Sequence, residues 1–201
     1  MRCVLALLST AILLGIPNSA RGQTTNIDDL AHHPFEAAFP ADGKLDLRIR
    51  SAEIRIVGSD ENKVAVHVGG SQGSESSDID AHFERTGDIG ALRVTGGPSS
   101  EVTITVQIPK KSNLFVRINA GDVEIDGIRG SKDIEIHAGN LTIGVGDPDD
   151  YAHVEASVTT GAIDAEPFGE THGGMFRSFK KSGKGRYKLV AHVTAGNLTL
   201  K

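Results

Sequence analysis

Hydrophobic and polar residues alternate in short runs along most of the chain, and one of these runs recurs. It appears as AGDVEI and as AGNLTI within Asn119 to Gly144, and again as TGAIDA and AGNLTL nearer the C-terminus. A degenerate first copy, SAEIRI, has Ala52 where the other copies have Gly. Five related copies in one chain indicate an internal repeat, which predicts an architecture built by stacking similar units.

When the copies are aligned on Gly, apolar residues recur five and three places before it and two and four places after it. Around Gly121 these positions hold Val116, Ile118, Val123 and Ile125. A period of two predicts two short strands with one buried face. The parity of the pattern shifts by one residue between the two strands. A corner at Gly, which tolerates positive φ and close backbone approach, would restore it.

The predicted corner residues are four glycines and the polar residues that follow three of them. They are Gly121, Gly139, Gly161, Gly196, Asp122, Asn140 and Asn197. We expect the Asp and Asn side chains to cap backbone groups at the corner and to stack from one copy to the next. Asn140 and Asn197 also match glycosylation sequons, which we interpret as corner chemistry.

Repeat spacing and composition predict an all-β, single-domain fold. Gly121 and Gly139 are 18 residues apart, and Gly139 and Gly161 are 22 apart, as in coils of a β-solenoid or β-roll. The next spacing, 35 residues, fits a coil that carries an inserted segment, Pro167 to Lys188. With no Trp and 4% aromatic residues, the core must be mainly aliphatic. A β-sandwich is the alternative architecture.

The N-terminus predicts export. Arg2, an apolar run and small residues before Gln23 are typical of a secretory signal peptide over residues 1–22, too short for a membrane anchor. Cys3 precedes the apolar run, so lipidation at that residue is not expected. We expect residues 23–34 to be a mobile leader and residues 35–201 to form the repeat domain. The periplasm, the cell surface and the extracellular space are the predicted locations.

Charge limits the classes of partner. The chain has 21 basic and 26 acidic residues, and removal of residues 1–22 would leave 19 basic residues against the same acids. Nucleic acid is therefore not an expected partner. The inserted segment is locally basic and could meet an anionic glycan or a lipid head group, although a solvated loop is the favoured alternative. Its cations are Arg177, Lys180, Lys181, Lys184, Arg186 and Lys188.

Catalytic and metal-binding motifs are scarce in the sequence. It has eight His but no HExxH motif and no nucleophile elbow, and the predicted mature chain has no Cys. Asp147, Asp149 and Asp150 cluster around Pro148, but their spacing is not that of a helix-flanked calcium loop, and a solvated turn is the favoured interpretation. We predict no cofactor, no metal site and no enzymatic activity.

The resemblance of the chain to a known family rests on three segments. The opening run FEAAFPADGKLDLRIRSAEIRIVGSDENKVAVHV, the phrase A-G-[DN]-[VL]-x-[IL] and the ending GKGRYKLVAHVTAGNLTLK resemble the putative adhesin family of bacterial exported proteins. The resemblance covers Phe35 to Lys201. It implies a β-solenoid or β-roll-like fold and a role in the cell envelope or at the surface, and it supplies no catalytic residues. The sequence departs from the family pattern at Ala52 and between residues 69 and 97.

Three functional hypotheses follow. The first is a non-enzymatic, adhesin-like envelope protein whose flat face binds a glycan, a lipid head group or a protein, or self-associates. Self-association would use the last strand, Asn197 to Leu200, which we expect to be uncapped. The second is a glycan-active enzyme that uses Glu124 and Asp164, although the same column carries Thr142 and Thr199 and resembles an ordinary hydrated face. The third is a sensor of envelope stress or cationic peptides that uses the acidic surface.

Overall fold

A computed structural model describes residues 22–70, 79–96 and 102–201, with the backbone alone at Gly70 and at residues 170–176. The chain is all-β, as predicted, and no α-helix occurs within these ranges. The predicted signal peptide lies almost entirely outside them. The strands are β1 (Gln23–Ile27), β2 (Phe35–Ala38), β3 (Lys44–Ser51), β4 (Glu53–Ser59), β5 (Lys63–Gly70), β6 (Asp80–Thr86), β7 (Ile89–Thr95), β8 (Val102–Pro109), β9 (Asn113–Ala120), β10 (Val123–Asp126), β11 (Lys132–Ala138), β12 (Leu141–Ile143), β13 (Tyr151–Ala165), β14 (Glu170–Ser182), β15 (Tyr187–Ala195) and β16 (Leu198–Leu200).

The strands form one hydrogen-bonded sheet that is nearly closed into a barrel, and we call its two halves the first and the second layer. The first layer has the order β1, β6, β7, β3, β9, β11, β15 and β13, and the second continues from β13 through β16, β12, β10, β4, β8 and β5 to β2. Each repeat copy supplies one strand to each layer, and the long strand β13 runs through both. The inward faces of the two layers share one hydrophobic core.

The repeat copies lie side by side in register. Val123 pairs with Ile54 on one side and with Leu141 on the other, and Leu141 pairs in turn with Leu198. All four side chains are buried, because the same apolar columns of the repeat face the same interior. Burial of each such aliphatic side chain stabilises the fold by about 1.5–3 kcal/mol. The alternating pattern therefore specifies both the register and the core.

The order of the coils in the sheet differs from their order in the sequence. A solenoid adds each coil to the one before it, but the last copy, β15 and β16, lies between the third copy, β11 and β12, and the fourth, β13. The copies are thus stacked out of sequence order, and the predicted solenoid is not confirmed. The inserted position is possible because every copy has the same apolar columns and presents the same edge to its neighbours.

The expectation of an uncapped last strand is wrong. β16 is hydrogen-bonded to β12 on one side and to β13 on the other, so its backbone groups already have partners. Among the described strands, β1, β2 and β14 each pair on one side only. Self-association through Asn197 to Leu200 therefore loses its structural basis.

The four corner glycines have the left-handed backbone that was expected of them. Their φ angles are +128° at Gly121, +127° at Gly139, +140° at Gly161 and +139° at Gly196. A Cβ atom at Gly139 would lie 2.1 Å from the carbonyl oxygen of Gly121, and similar approaches recur at the other three corners. Ala52 is tolerated in the first copy, since it is not among the residues with positive φ. Neighbouring corners touch backbone to backbone, which leaves no room for a side chain.

Two segments differ from their predicted structure. The predicted leader, residues 23–34, begins with β1, which pairs with β6, and its Leu30 is fully buried. The alternation in QTTNI is too short to reveal an edge strand of this kind. The basic insertion is not a loop: β14 pairs along nearly the whole of β13 in an antiparallel hairpin. This pairing covers the side of β13 that faces away from β15.

Candidate binding face

The solvent side of the first layer brings together cations that are far apart in sequence. Arg48 on β3 lies directly opposite Arg93 on β7 and directly opposite Arg117 on β9. Arg50 follows two places along β3, on the same face, and Lys44 lies near its start. We call these five residues, Lys44, Arg48, Arg50, Arg93 and Arg117, the arginine face. They point outward because the residues that alternate with them, including Leu47 and Ile49, fill the core.

Arg117 is the most firmly held of these cations. Its guanidinium lies 3.7 Å from the centroid of the Phe115 ring. It forms ion pairs with Asp133 at 2.8 Å and with Glu135 at 3.1 Å, and it donates a further hydrogen bond to the Asp133 carbonyl. The Lys44 ammonium lies 5.8 Å from the same ring. These contacts fix Arg117 in one position, so it forms a rigid border of the arginine face.

Arg48 is held in a different way. It donates two parallel hydrogen bonds to the carboxylate of Asp46, each of 3.1 Å. These bonds and the charge of Asp46 raise the pKa of the arginine above its ordinary value. Arg93 and Arg50 are exposed, and neither has a hydrogen bond or an ion pair with the residues that the structure describes. The face therefore contains two guanidinium groups whose donors are available to a ligand.

The electrostatics of this arrangement favour an anion. Like charges directly opposite each other on neighbouring strands are destabilising. The arginine face has two such pairs, Arg93 with Arg48 and Arg48 with Arg117, on a chain with a formal net charge of −5. Three carboxylates touch the five cations, those of Asp46, Asp133 and Glu135. An anionic group between Arg93 and Arg48 would relieve the remaining repulsion.

The corner residues form a second ordered set, on the line where the layers meet. Asn140 donates from its backbone N–H and from its side-chain amide to Asp122 Oδ1, both at 2.9 Å. Asn197 donates in the same way to Asn140 Oδ1, and the Ala162 N–H donates to Asn197 Oδ1 at 3.1 Å. These bonds satisfy backbone donors of successive coils, so the three side chains have a structural role here.

The basic segment predicted to bind anions is dispersed in the structure. Lys180 forms an ion pair with Glu155 at 2.8 Å, and the Lys181 ammonium lies 5.4 Å from the Phe168 ring. Arg186 donates to the hydroxyl of its neighbour Tyr187. Lys184 lies with Lys181 on a cleft of about 450 Å³ beside β14. The remaining two cations, Arg177 and Lys188, are exposed on β14 and β15. Anion binding at this segment stays a prediction.

The two carboxylates proposed for glycan cleavage do not converge. Glu124 and Asp164 occupy the same row of the second layer, but Thr142 and Thr199 lie between them. Three strand spacings correspond to about 14 Å, whereas glycosidases place their carboxylates about 5–9.5 Å apart. Glu124 also pairs with Lys201 at 2.9 Å, which lowers its pKa and disfavours the protonated form needed by a general acid.

Ser157 and His192 form the arrangement nearest to a nucleophile and base. Ser157 Oγ lies 2.8 Å from His192 Nδ1, on adjacent strands of the first layer. The other ring nitrogen of His192 lies 3.4 Å from the Thr194 hydroxyl. A carboxylate that orients the imidazole, as in a catalytic triad, would have to occupy the position of this hydroxyl. The pair is accounted for as a cross-strand hydrogen bond on the outer face.

A buried lysine, which sequence reasoning missed, is the first residue of β11. Lys132 is 1% exposed, and it occupies a core position between Leu114 and Leu189. Its ammonium donates to the Tyr151 hydroxyl at 2.9 Å and to the Gly130 carbonyl at 3.3 Å. Burial lowers the pKa of Lys132 to about 8. Lys132 lies seven places before the corner glycine, a position that is apolar in the other repeat copies. Alignment of this position in the sequence would have revealed the lysine.

Tyr151, the partner of this lysine, connects two surface clefts. It lines the cleft beside β14 and a second cleft of about 400 Å³ that also contains Arg129 and Tyr187. Burial raises the pKa of Tyr151 to about 12, with a smaller contribution from Asp150. The hydroxyl donates to the Val145 carbonyl at 3.1 Å. Lys132 itself lines neither cleft, so of the two residues only Tyr151 is in contact with the clefts.

The acidic turn considered for calcium is a short 3-10 turn, Pro148–Asp150. The Asp147 carboxylate accepts a hydrogen bond of 2.9 Å from the Asp149 N–H, so it caps the turn. No group of three or more potential metal ligands occurs in the described part of the chain. Within the same part, no helix has the length and apolar character needed to cross a membrane.

A solved structure with a similar fold is that of a putative cell adhesion protein from Clostridium sporogenes ATCC 15579. The two chains are 14% identical and align with a TM-score of 0.50, over 90% of this chain and 98% of the other. At this identity the likeness concerns the fold alone. No family model and no curated protein matches the chain, so membership of the putative adhesin family stays a prediction.

Proposed function

We propose that the protein is an exported, non-enzymatic, adhesin-like component of the cell envelope. In this proposal a solenoid-like stack of coils acts as a rigid scaffold, and the outer surface binds a glycan, a lipid head group or a protein of the envelope. The observation that carries the proposal is the arginine face. It is an ordered set of outward cations, two of which have no partner in the described part of the chain.

The positions of the polar and charged side chains support a binding function more than a catalytic one. The inward side chains of both layers are packed into one hydrophobic core, and among the described residues the polar groups lie on the outer faces with the exceptions of Lys132 and Ser112. On those faces the side chains stand in rows at the strand spacing of about 4.8 Å. Such a surface suits contact with an extended partner, whereas the two acids considered for hydrolysis lie too far apart to share a substrate.

Two further observations agree with this proposal. The Clostridium sporogenes protein of similar fold is called a putative cell adhesion protein. The predicted signal peptide would deliver the chain to the compartment where envelope partners are found. The first of these observations concerns the fold, and the second concerns the sequence.

A binding screen tests the proposal. The purified protein would be labelled and titrated with three envelope fractions, namely polysaccharide, lipid vesicles and detergent-solubilised protein, each from the organism that produces it. We expect saturable binding to one fraction. A variant with Arg93→Gln should bind more weakly than a variant with Arg55→Gln on the second layer, which loses the same charge away from the arginine face. Absence of saturable binding to all three fractions would remove the proposal.

A further inference from the structure

The arginine face has a surplus of positive charge that the protein does not neutralise. Five cations meet three carboxylates, and the contacts of those acids are made with Arg48 and Arg117. Arg93 and Arg50 remain without a partner in the ranges that the structure covers. They flank Arg48, one on the neighbouring strand and one two places further along β3, so the three residues stand at the corners of a triangle on the outer face.

We propose that this triangle binds the carboxylates of an acidic polysaccharide. The inference rests on the proposed envelope-binding function and assigns its ligand class. The guanidinium of arginine is a planar fork of donors that matches a carboxylate with two parallel hydrogen bonds. The pair of Arg48 with Asp46 shows this geometry within the face itself. Arg93 and Arg50 can offer the same fork to carboxylates of a polymer.

The arrangement also matches a polymer better than a single small anion. Arg93, Arg48 and Arg117 stand on three adjacent strands, so their positions extend over about 10 Å across the sheet. A chain of sugars that carries carboxylates at intervals can contact several of these cations at once. When one carboxylate is bound, the next carboxylate of the same polymer is held close to the next arginine. This increases the overall affinity of the polymer without any deep pocket.

Other anionic macromolecules fit the same face less well. The formal net charge of −5 repels any polyanion outside the immediate contact, so the choice between a nucleic acid and a polysaccharide depends on contacts at the face itself. The one aromatic ring on the face, that of Phe115, already has Arg117 over it and is not open to a base. A membrane would require apolar anchoring beside the cations, and among the described residues Ile89 is the one exposed large apolar side chain near the face.

The test compares two double variants that lose the same charge. One carries Arg93→Gln and Arg50→Gln. The control carries Arg55→Gln and Arg129→Gln, away from the arginine face. Binding of the purified protein to polygalacturonate is measured by isothermal titration calorimetry, with neutral dextran, phosphatidylglycerol vesicles and duplex DNA as comparison ligands. Because Arg93 and Arg50 lack internal partners, the first variant should melt within about 2 °C of the unmodified protein.

We expect polygalacturonate to bind and dextran not to bind. The Arg93 and Arg50 variant should lose roughly tenfold or more in affinity, since bonds to charged groups are the stronger class of hydrogen bond. The control should change less than twofold, and added salt should weaken binding. Equal losses in both variants, or tighter binding to DNA or vesicles, would overturn the inference. So would binding to envelope fractions without binding to polygalacturonate, although the proposed function would then stand.

Discussion

Replacement of the buried Lys132 by Met should stabilise the protein. Met is similar in length to Lys, and the neighbours in the same column, Leu114 and Leu189, are apolar. Below pH 8 the lysine is protonated in the folded and the unfolded chain, so the fold bears the whole cost of burying its charge. The difference between a pKa of about 8 and the ordinary 10.5 corresponds to about 3 kcal/mol.

Not all of this energy should be recovered in the variant. The Gly130 carbonyl loses its donor, which costs about 1 kcal/mol, whereas the Tyr151 hydroxyl still donates to the Val145 carbonyl. We therefore expect Lys132→Met to raise the free energy of unfolding by about 2 kcal/mol at pH 7. The measurement is urea unfolding followed by far-UV circular dichroism, because the chain has no Trp to report by fluorescence.

The pH dependence provides the sharper test. The folded state releases the Lys132 proton from about pH 8, before the unfolded state does, so the stability of the unmodified protein should rise between pH 8 and pH 10. Above pH 10 the raised pKa of Tyr151 acts in the opposite direction, since the unfolded tyrosine ionises first. Lys132→Met should lack the rise, and the exposed control Lys44→Met should keep it. A less stable Met variant, or equal slopes in both, would refute the reasoning.

Two further substitutions test the corner and the strand order. Gly139→Ala should lower the free energy of unfolding by roughly 3 kcal/mol or more, because its Cβ atom would collide with the Gly121 carbonyl at positive φ. Thermal unfolding measures this loss. The control Ala52→Gly, at a corner without positive φ, should lower the free energy of unfolding by only about 1 kcal/mol. Leu198→Lys should unfold the protein, because this fully buried side chain lies between two other strands. Circular dichroism with light scattering would detect the unfolding. Thr199→Lys, on the neighbouring outward position, is the matched control. A well-folded Leu198→Lys monomer would contradict the strand order.

The core and the corners could be predicted from the sequence because they are local properties. The period of two places Ile125 and Ile143 on the inward side of their strands, and these residues pair in one core. The parity shift at each Gly requires a corner there, since a straight strand would turn its apolar residues outward. Both arguments need only residues that are close together in the chain.

The order of the strands could not be predicted, for a physical reason. Each copy has the same apolar columns and the same polar outer positions, so any copy can pair with any other in the same register. Leu198 fits beside Leu141 and beside Ile163 equally well. Local patterning therefore does not distinguish a last copy at the end of the stack from one in its middle.

The candidate site could not be predicted because it exists only between strands. Arg48, Arg93 and Arg117 are each an ordinary outward arginine in the sequence, and only the pairing of β7 and β9 with β3 makes them neighbours. The basic segment Arg177 to Lys188 was more conspicuous, since its charges are close together in sequence. In the structure Lys180, Lys181 and Arg186 contact three different partners.

The position of the last repeat copy has a consequence for biosynthesis. The β13–β14 hairpin is joined to the other coils only through β15 and β16 among the described strands. A nascent polypeptide that does not yet include this final segment lacks the two strands that join β13 to β11 and β12 in the arrangement seen here. Completion of the fold then depends on the arrival of the C-terminal residues, and a prematurely terminated chain would expose aliphatic surface to proteases.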